Sequence, residues 1–165
     1  MINLKNIQYK ISQKNILQNI DLNIQEGKTT VIMGKNGSGK STLLKLLNQI
    51  IKPTSGLFDS TLSKPVPMLF QKPLMLQNSV NYNYHILQKI KKHQINHFWF
   101  KKFDLSHLSN QKMNSLSEGE KQKVFISRIM SFDQSHLFLD EPNQSLDLQS
   151  EKLLIDLLIN EKKQK

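Results

Sequence analysis

Residues Gly34-Lys35-Asn36-Gly37-Ser38-Gly39-Lys40-Ser41 follow the nucleotide-binding P-loop pattern, G-x-x-x-x-G-K-S/T. Nearly every position in it has a phosphate-binding reason. Glycines let the backbone wrap with its N–H groups pointing inward, toward an anion. Lys40 supplies a compact positive charge for the outer phosphates, and Ser41 a hydroxyl for Mg2+. A second group of reactive residues closes the run His136-Leu137-Phe138-Leu139-Asp140-Glu141-Pro142. An acid at the end of an apolar strand can hold Mg2+, often through water, which makes Asp140 the metal candidate. Glu141 beside it could polarise an attacking water as a general base. The third group, Leu116-Ser117-Glu118-Gly119-Glu120, supports two readings. Ser117 as an N-cap with Glu120 three residues later is a capping box, and a Ser-x-Gly turn at a helix start is also a good anion site.

These residues need elements to hold them. Thr29-Thr30-Val31-Ile32-Met33 is β-branched and apolar, which predicts a buried parallel strand leading into the loop. The leucines of Ser41–Leu47 are spaced as on a helix, predicted from about Gly39 to Ile50 and ended by Pro53-Thr54-Ser55-Gly56. Residues 2 to 9 and 14 to 24 read as strands, with Ile20, Leu22 and Ile24 on one face. A short strand is expected at Val66–Phe70 and another at Ser135–Asp140. Residues 79 to 113, with no Gly or Pro, read as a small helical insertion. A helix is expected over 118 to 131, with Val124, Ile126 and Ile129 buried. Leu146–Asn160 is an amphipathic helix with Leu153, Leu154, Leu157 and Leu158 inward, and Glu161–Lys165 a frayed polar tail.

Bulk properties set wider limits. At 165 residues the expectation is one domain, spanning 1 to 165. No apolar run approaches the length of a membrane span, and the first residues lack an apolar signal core. The chain has no cysteine, which excludes disulfides and cysteine-based zinc sites and suggests an intracellular protein. The net charge of +10 comes almost wholly from lysine, Arg128 is the sole arginine, and alanine is absent. This pattern resembles codon bias in an AT-rich genome, so the charge does not choose among nucleic acid, anionic membrane and plain solvation.

The motifs together resemble the ATP-binding subunit of ATP-binding-cassette (ABC) transporters, over roughly residues 1 to 160. Gly34–Ser41 is similar to Walker A and Leu137–Asp140 to Walker B, with Glu141 in the place of the catalytic glutamate. Leu116–Glu120 resembles the signature loop and Ser145-Leu146-Asp147 the D-loop. Gln71 in Leu69-Phe70-Gln71-Lys72-Pro73 matches the Q-loop glutamine, which in the family touches Mg2+ or the attacking water and couples to the membrane subunits. Tyr9 falls where the family places an aromatic that stacks on adenine. The fold implied is α/β, a P-loop NTPase of the ABC ATPase type, with a parallel core sheet, an N-terminal antiparallel β subdomain and a small helical insertion at about 79 to 118. The resemblance implies ATP and Mg2+ as ligands. Gly34, Lys35, Asn36, Gly37, Ser38, Gly39, Lys40, Ser41 and Thr42 would hold the phosphates, and Ser41, Gln71 and Asp140 the metal. Ser117, Gly119 and Asp147 would reach the nucleotide bound by an opposite subunit in a head-to-tail dimer. It implies a membrane transporter subunit as partner, a place on the cytoplasmic face of the cell membrane, and no direct nucleic-acid contact.

Two departures from the family pattern bear on catalysis. The signature loop usually reads Leu-Ser-Gly-Gly-Gln, and here Glu118 and Glu120 replace a glycine and the glutamine. A Glu118 carboxylate facing a γ-phosphate would be repelled by about 4 kcal/mol at most near the surface; it could instead point outward. The family also has a strand after the D-loop helix, between the two Walker strands, ending in a switch histidine. His85, His93, His97, His107 and His136 all precede the D-loop, so the expectation is a chain without that strand. Its loss predicts unpaired backbone groups, each costing about 1–3 kcal/mol if buried. Three readings follow: a truncated or split chain completed by another polypeptide, a reduced fold in which the two motif strands pair, or a protein that binds ATP and turns it over poorly. An ATPase with impaired or partner-dependent turnover is the expectation.

Within transport, Phe70–Val80 most resembles importers of oxyanions such as tungstate or phosphate, with a haem-exporter-type ATPase as the alternative. Outside it stand a soluble ABC protein acting on ribosomes or DNA and a non-hydrolytic nucleotide-binding regulator.

Overall fold

A computed structural model describes residues 1–62, 66–91, 96–132 and 136–163. The chain divides into two compact units, Met1–Val66 and Pro67–Lys163.

The first unit is built on three antiparallel strands in the order β2-β1-β3: β1 (Ile2–Ile11), β2 (Lys14–Ile24) and β3 (Ser55–Ser60). Alternation puts Ile2 and Leu4 of β1 inside, a register shift between Leu4 and Ile7 turns Ile7 inward as well, and β2 adds Leu17. Helix α1 (Lys40–Leu47) packs on β2 and buries Leu43, Leu46 and Leu47. It is shorter than the sequence suggested. Asn48 caps it, Gln49 turns left-handed at φ 55, and the Ile50 N–H reaches back to the Lys45 carbonyl at 2.9 Å. That is a Schellman-type stop made without glycine.

The strand expected at Thr29–Met33 is absent. These residues join no ladder among the described residues, and Val31 and Met33 are 74% and 88% exposed. The residue types favour a strand, but a strand exists only through hydrogen bonds to a neighbour, and local propensity cannot supply one. The strand β3 was not foreseen.

The second unit holds a two-stranded parallel sheet of β4 (Met68–Leu69) and β5 (Phe138–Leu139), within the spans expected; Ser135 lies outside the described residues. Around it lie α2 (Val80–Lys91), α3 (Phe98–Lys102), α4 (Glu118–Met130) and α5 (Leu148–Lys163). Single 3-10 turns at Ser106–Leu108 and Met113–Ser115 connect α3 to α4. The core gathers Leu69, Tyr84, Trp99, Phe100, Val124, Ile126, Ile129, Leu154 and Leu157 among others. Val124, Ile126 and Ile129 are buried as expected, and Leu153, Leu154, Leu157 and Leu158 all face this core. Within the expected tail, Glu161–Lys163 continue α5; residues 164 and 165 lie outside the described residues.

Candidate functional site

In the Met1–Val66 unit the phosphate loop is shaped by its glycines. Gly37 and Gly39 sit at φ 79 and φ 94, a region that costs an L side chain energy. Gly39 also has no room: a Cβ would lie 2.9 Å from Leu17 Cδ2 and 3.1 Å from the Ile16 carbonyl. The loop is thus pressed against β2. Lys40 Nζ donates to the carbonyls of Gly34 and Lys35 at 2.9 and 3.1 Å, so the ammonium ties the end of the loop back to its start. The first α1 hydrogen bond runs from Leu43 N to Gly39 O at 2.8 Å. No side chain caps the helix N-terminus, which leaves early N–H groups directed along the axis for an anion. Ser41 and Thr42 stand half-buried in that first turn. Tyr9, on β1, is half-exposed and pairs across the ladder with Leu17, the residue against which Gly39 packs.

In the Pro67–Lys163 unit the acids follow β5 directly. Asp140 is 3% exposed, and its N–H donates to Leu69 O at 3.0 Å, extending the ladder by one residue. Glu141 then turns left-handed at φ 49. Such a conformation in a non-glycine residue costs about 1–3 kcal/mol and persists only where the surroundings impose it. The turn swings the carboxylate of Glu141 to Gln71, whose Nε2 donates to Glu141 Oε2 at 2.8 Å, across 70 residues of sequence. Two residues singled out separately are therefore in direct contact.

This contact also bears on Mg2+. With its N–H end committed to Glu141, Gln71 keeps its amide oxygen as a hard donor. That oxygen and the Asp140 carboxylate of the same unit are hard donors of the kind Mg2+ takes, an ion that keeps few protein ligands and several waters. No cluster of three or more His, Cys, Asp or Glu side chains occurs among the described residues.

The loop before α4 is ordered by a capping box. Ser117 Oγ accepts from the Glu120 N–H at 3.3 Å, and Glu120 Oε2 accepts from the Ser117 N–H and hydroxyl at 2.8 and 2.7 Å. These bonds from Ser117 hold the Glu120 carboxyl below its usual pKa range. Glu118 does not point into the loop: its carboxylate pairs with Lys121 Nζ, one helical turn along, at 2.6 Å. Of the orientations open to it from sequence, the outward one is adopted. Gly119 serves packing as well, because a Cβ there would lie 2.8 Å from Ser145 O.

Asp147 accepts from the backbone N–H of Ser150 at 2.7 Å and from its hydroxyl at 3.0 Å, capping α5, and pairs with Lys123 Nζ at 3.1 Å. The Ser150 bond first and Lys123 second lower its pKa to about 2. Three α4 side chains carry contacts that the sequence reading missed. Gln122 Nε2 donates to Pro142 O at 2.9 Å. Lys123 pairs with Asp147. Arg128, 8% exposed, donates weakly to Leu74 O at 3.3 and 3.4 Å and lies 5.1 Å from the Phe125 ring; burial lowers its pKa to about 10. The signal available was the spacing of Gly119, Gln122 and Lys123, which sets them on one helical face.

Comparison with known proteins gives the family. The family model described as ABC transporter matches residues 17–144. The zinc import ATP-binding protein ZnuC of Psychrobacter cryohalolentis is 37% identical over 167 residues, covering 96% of this chain and 67% of the relative. ZnuC of Wigglesworthia glossinidia brevipalpis is 33% identical over 165 residues, covering 96% and 69%. Among solved structures, the dimeric bacterial ABC transporter cassette MJ0796 superposes with a TM-score of 0.83 at 25% identity, covering 99% of this chain and 84% of that one. Its post-hydrolysis state bound to ADP and Pi gives 0.84 at 26%. The chain belongs to the ABC transporter family, as an ATP-binding cassette with the P-loop NTPase fold and an ATPase that uses ATP with Mg2+.

Proposed function

We propose that this chain is the energising subunit of a membrane importer, and that Glu141, positioned by Gln71, activates the water that attacks ATP. The observation that carries this is the 2.8 Å hydrogen bond from Gln71 Nε2 to Glu141 Oε2. A carboxylate fixed by one donor keeps its remaining lone pairs for a water. We assign the phosphates to Gly34–Thr42, with Lys40 as the outer-phosphate charge, adenine stacking to Tyr9, and the metal-facing oxygens to Ser41, Gln71 and Asp140. When bound, Mg2+ neutralises charge developing on the phosphate oxygens. The chain's own part is positioning: loop N–H groups orient the phosphates, and Glu141 accepts the proton of the water.

Ser117, Gly119 and Asp147 are assigned to the nucleotide of an opposite subunit, and the MJ0796 dimer supports an arrangement of paired cassettes. Ser117 would exchange its capping-box bonds for phosphate contacts there. No described helix is long and apolar enough to cross a membrane, so in this reading the chain meets a separate multi-span subunit at the cytoplasmic face. The relatives are named for zinc import, which favours zinc as cargo over the oxyanions suggested by Phe70–Val80.

Reconstitution with the multi-span subunit in vesicles tests this reading. It expects ATP-dependent uptake of zinc and none of tungstate, abolished by Glu141→Gln. Uptake that persists in Glu141→Gln would sink the catalytic assignment, and tungstate uptake the cargo.

A further inference from the structure

The conformation of the Glu141–Asp147 turn is not explained by the turn itself. Glu141 and Ser145 are both non-glycine residues at positive φ, 49 and 65. The internal bonds, Gln144 N to Glu141 O and Leu146 N to Asn143 O, are each 3.1 Å. A left-handed pair of this kind is kept by its surroundings. Those surroundings include one face of α4. Gly119 lies against the Ser145 carbonyl, close enough that a Cβ would sit 2.8 Å away. One turn on, Gln122 Nε2 donates to Pro142 O at 2.9 Å, next to Glu141 in the chain. Lys123 then pairs with Asp147 at 3.1 Å, at the far end of the turn.

We propose that Gln122 and Lys123 are positioning residues that clamp the Glu141–Asp147 turn at both ends and so aim the Glu141 carboxylate at Gln71. The relevance to turnover rests on the catalytic reading of Glu141 given above; the clamp itself does not. The two contacts differ in weight. Gln122 is 8% exposed and Pro142 half-buried, so loss of their bond leaves a carbonyl partly shielded from water without this donor. The Lys123–Asp147 pair is largely exposed on the acid side, and such pairs contribute little alone; its effect is directional, on where the turn ends. Because Ser117 caps the same helix, a shift of α4 driven at Ser117 reaches Glu141 through these two side chains.

The test compares Gln122→Met, Lys123→Met and Lys123→Arg in the full chain without nucleotide. Amide hydrogen exchange is followed at Gln144 and Leu146, whose N–H groups close the turn. Exchange there is expected to quicken by about tenfold in Gln122→Met, less in Lys123→Met, and to return to the parent rate in Lys123→Arg, while α4 amides are unchanged. Turnover measured alongside is expected to fall about tenfold in kcat for Gln122→Met with KM within about twofold. Parent-rate exchange at Gln144 and Leu146 in the Met variants overturns the clamp, as does a uniform rise across α4 and the turn, which marks general destabilisation. Should Gln122→Met fail to fold, the Lys123→Met and Lys123→Arg pair decides. Glu141→Gln is run in parallel: undiminished turnover there removes the catalytic reading of Glu141, while the exchange data judge the clamp separately.

Discussion

The phosphate loop and the Glu141 turn are both left-handed turns that present chemistry, and they are stabilised in opposite ways. At Gly34–Lys40 the shape is local: Gly37 and Gly39 adopt positive φ without a side-chain penalty, and Lys40 bonds carbonyls five and six residues back. At Glu141–Asp147 the positive-φ residues are Glu141 and Ser145, and their partners lie far off in sequence, at Gln71, Gln122 and Lys123. A site of the first kind takes most of its shape from its own few residues, with β2 as the wall it packs on. One of the second kind exists only once the unit around it has folded, and can be moved through it.

The sharpest way to probe the local turn is Lys40→Ala. Loss of a charge-assisted contact to phosphate is expected to weaken ATP binding about 10- to 100-fold by calorimetry; unchanged affinity would break the assignment. Next is Gly39→Ala, which meets both a φ of 94 and a carbonyl at 3.1 Å. It is expected to cost about 1–3 kcal/mol, seen as a lower Tm. Gly119→Ala probes the distributed turn. Its Cβ would press on Ser145 O, and it is expected to destabilise by about 1–2 kcal/mol. A Tm unchanged in Gly119→Ala but lowered in Gly39→Ala would mean the second turn yields where the first cannot.

The smallest effect concerns pH. The Asp147 pKa is lowered to about 2 in the fold, below its ordinary value of 3.8. A depressed carboxyl stabilises the fold above its unfolded pKa, and that contribution is lost as pH falls through the folded value. The α5 cap is therefore expected to weaken between about pH 4 and pH 2, and to do so at higher pH in Lys123→Met. Carboxyl NMR titration of Asp147 checks this; identical midpoints in parent and variant would separate Lys123 from the turn.

Sequence reading succeeded where one residue type has one physical use. The turn at the loop glycines, the place of Asp140 at the end of an apolar strand and the buried Val124–Ile126–Ile129 face were legible for that reason. It failed where structure depends on a neighbour. Thr29–Met33 has strand-forming residues and no ladder among the described residues, whereas β3 forms from Ser55–Ser60, a segment with only Phe58 and Ser60 half-buried and no clear alternation. Gln71 and Glu141 were each found, but not their contact. Gln122, Lys123 and Arg128 carry no motif; their roles arise from carbonyls and acids that only the folded chain brings near.

The central claim is that Glu141 is the catalytic base of an ATP-binding cassette. The most direct measurement is ATP turnover by the full chain with its membrane subunit, parent against Glu141→Gln, at saturating ATP. The account predicts a fall of about 100-fold or more, the usual contribution of a general base. Turnover in Glu141→Gln equal to the parent's would contradict it.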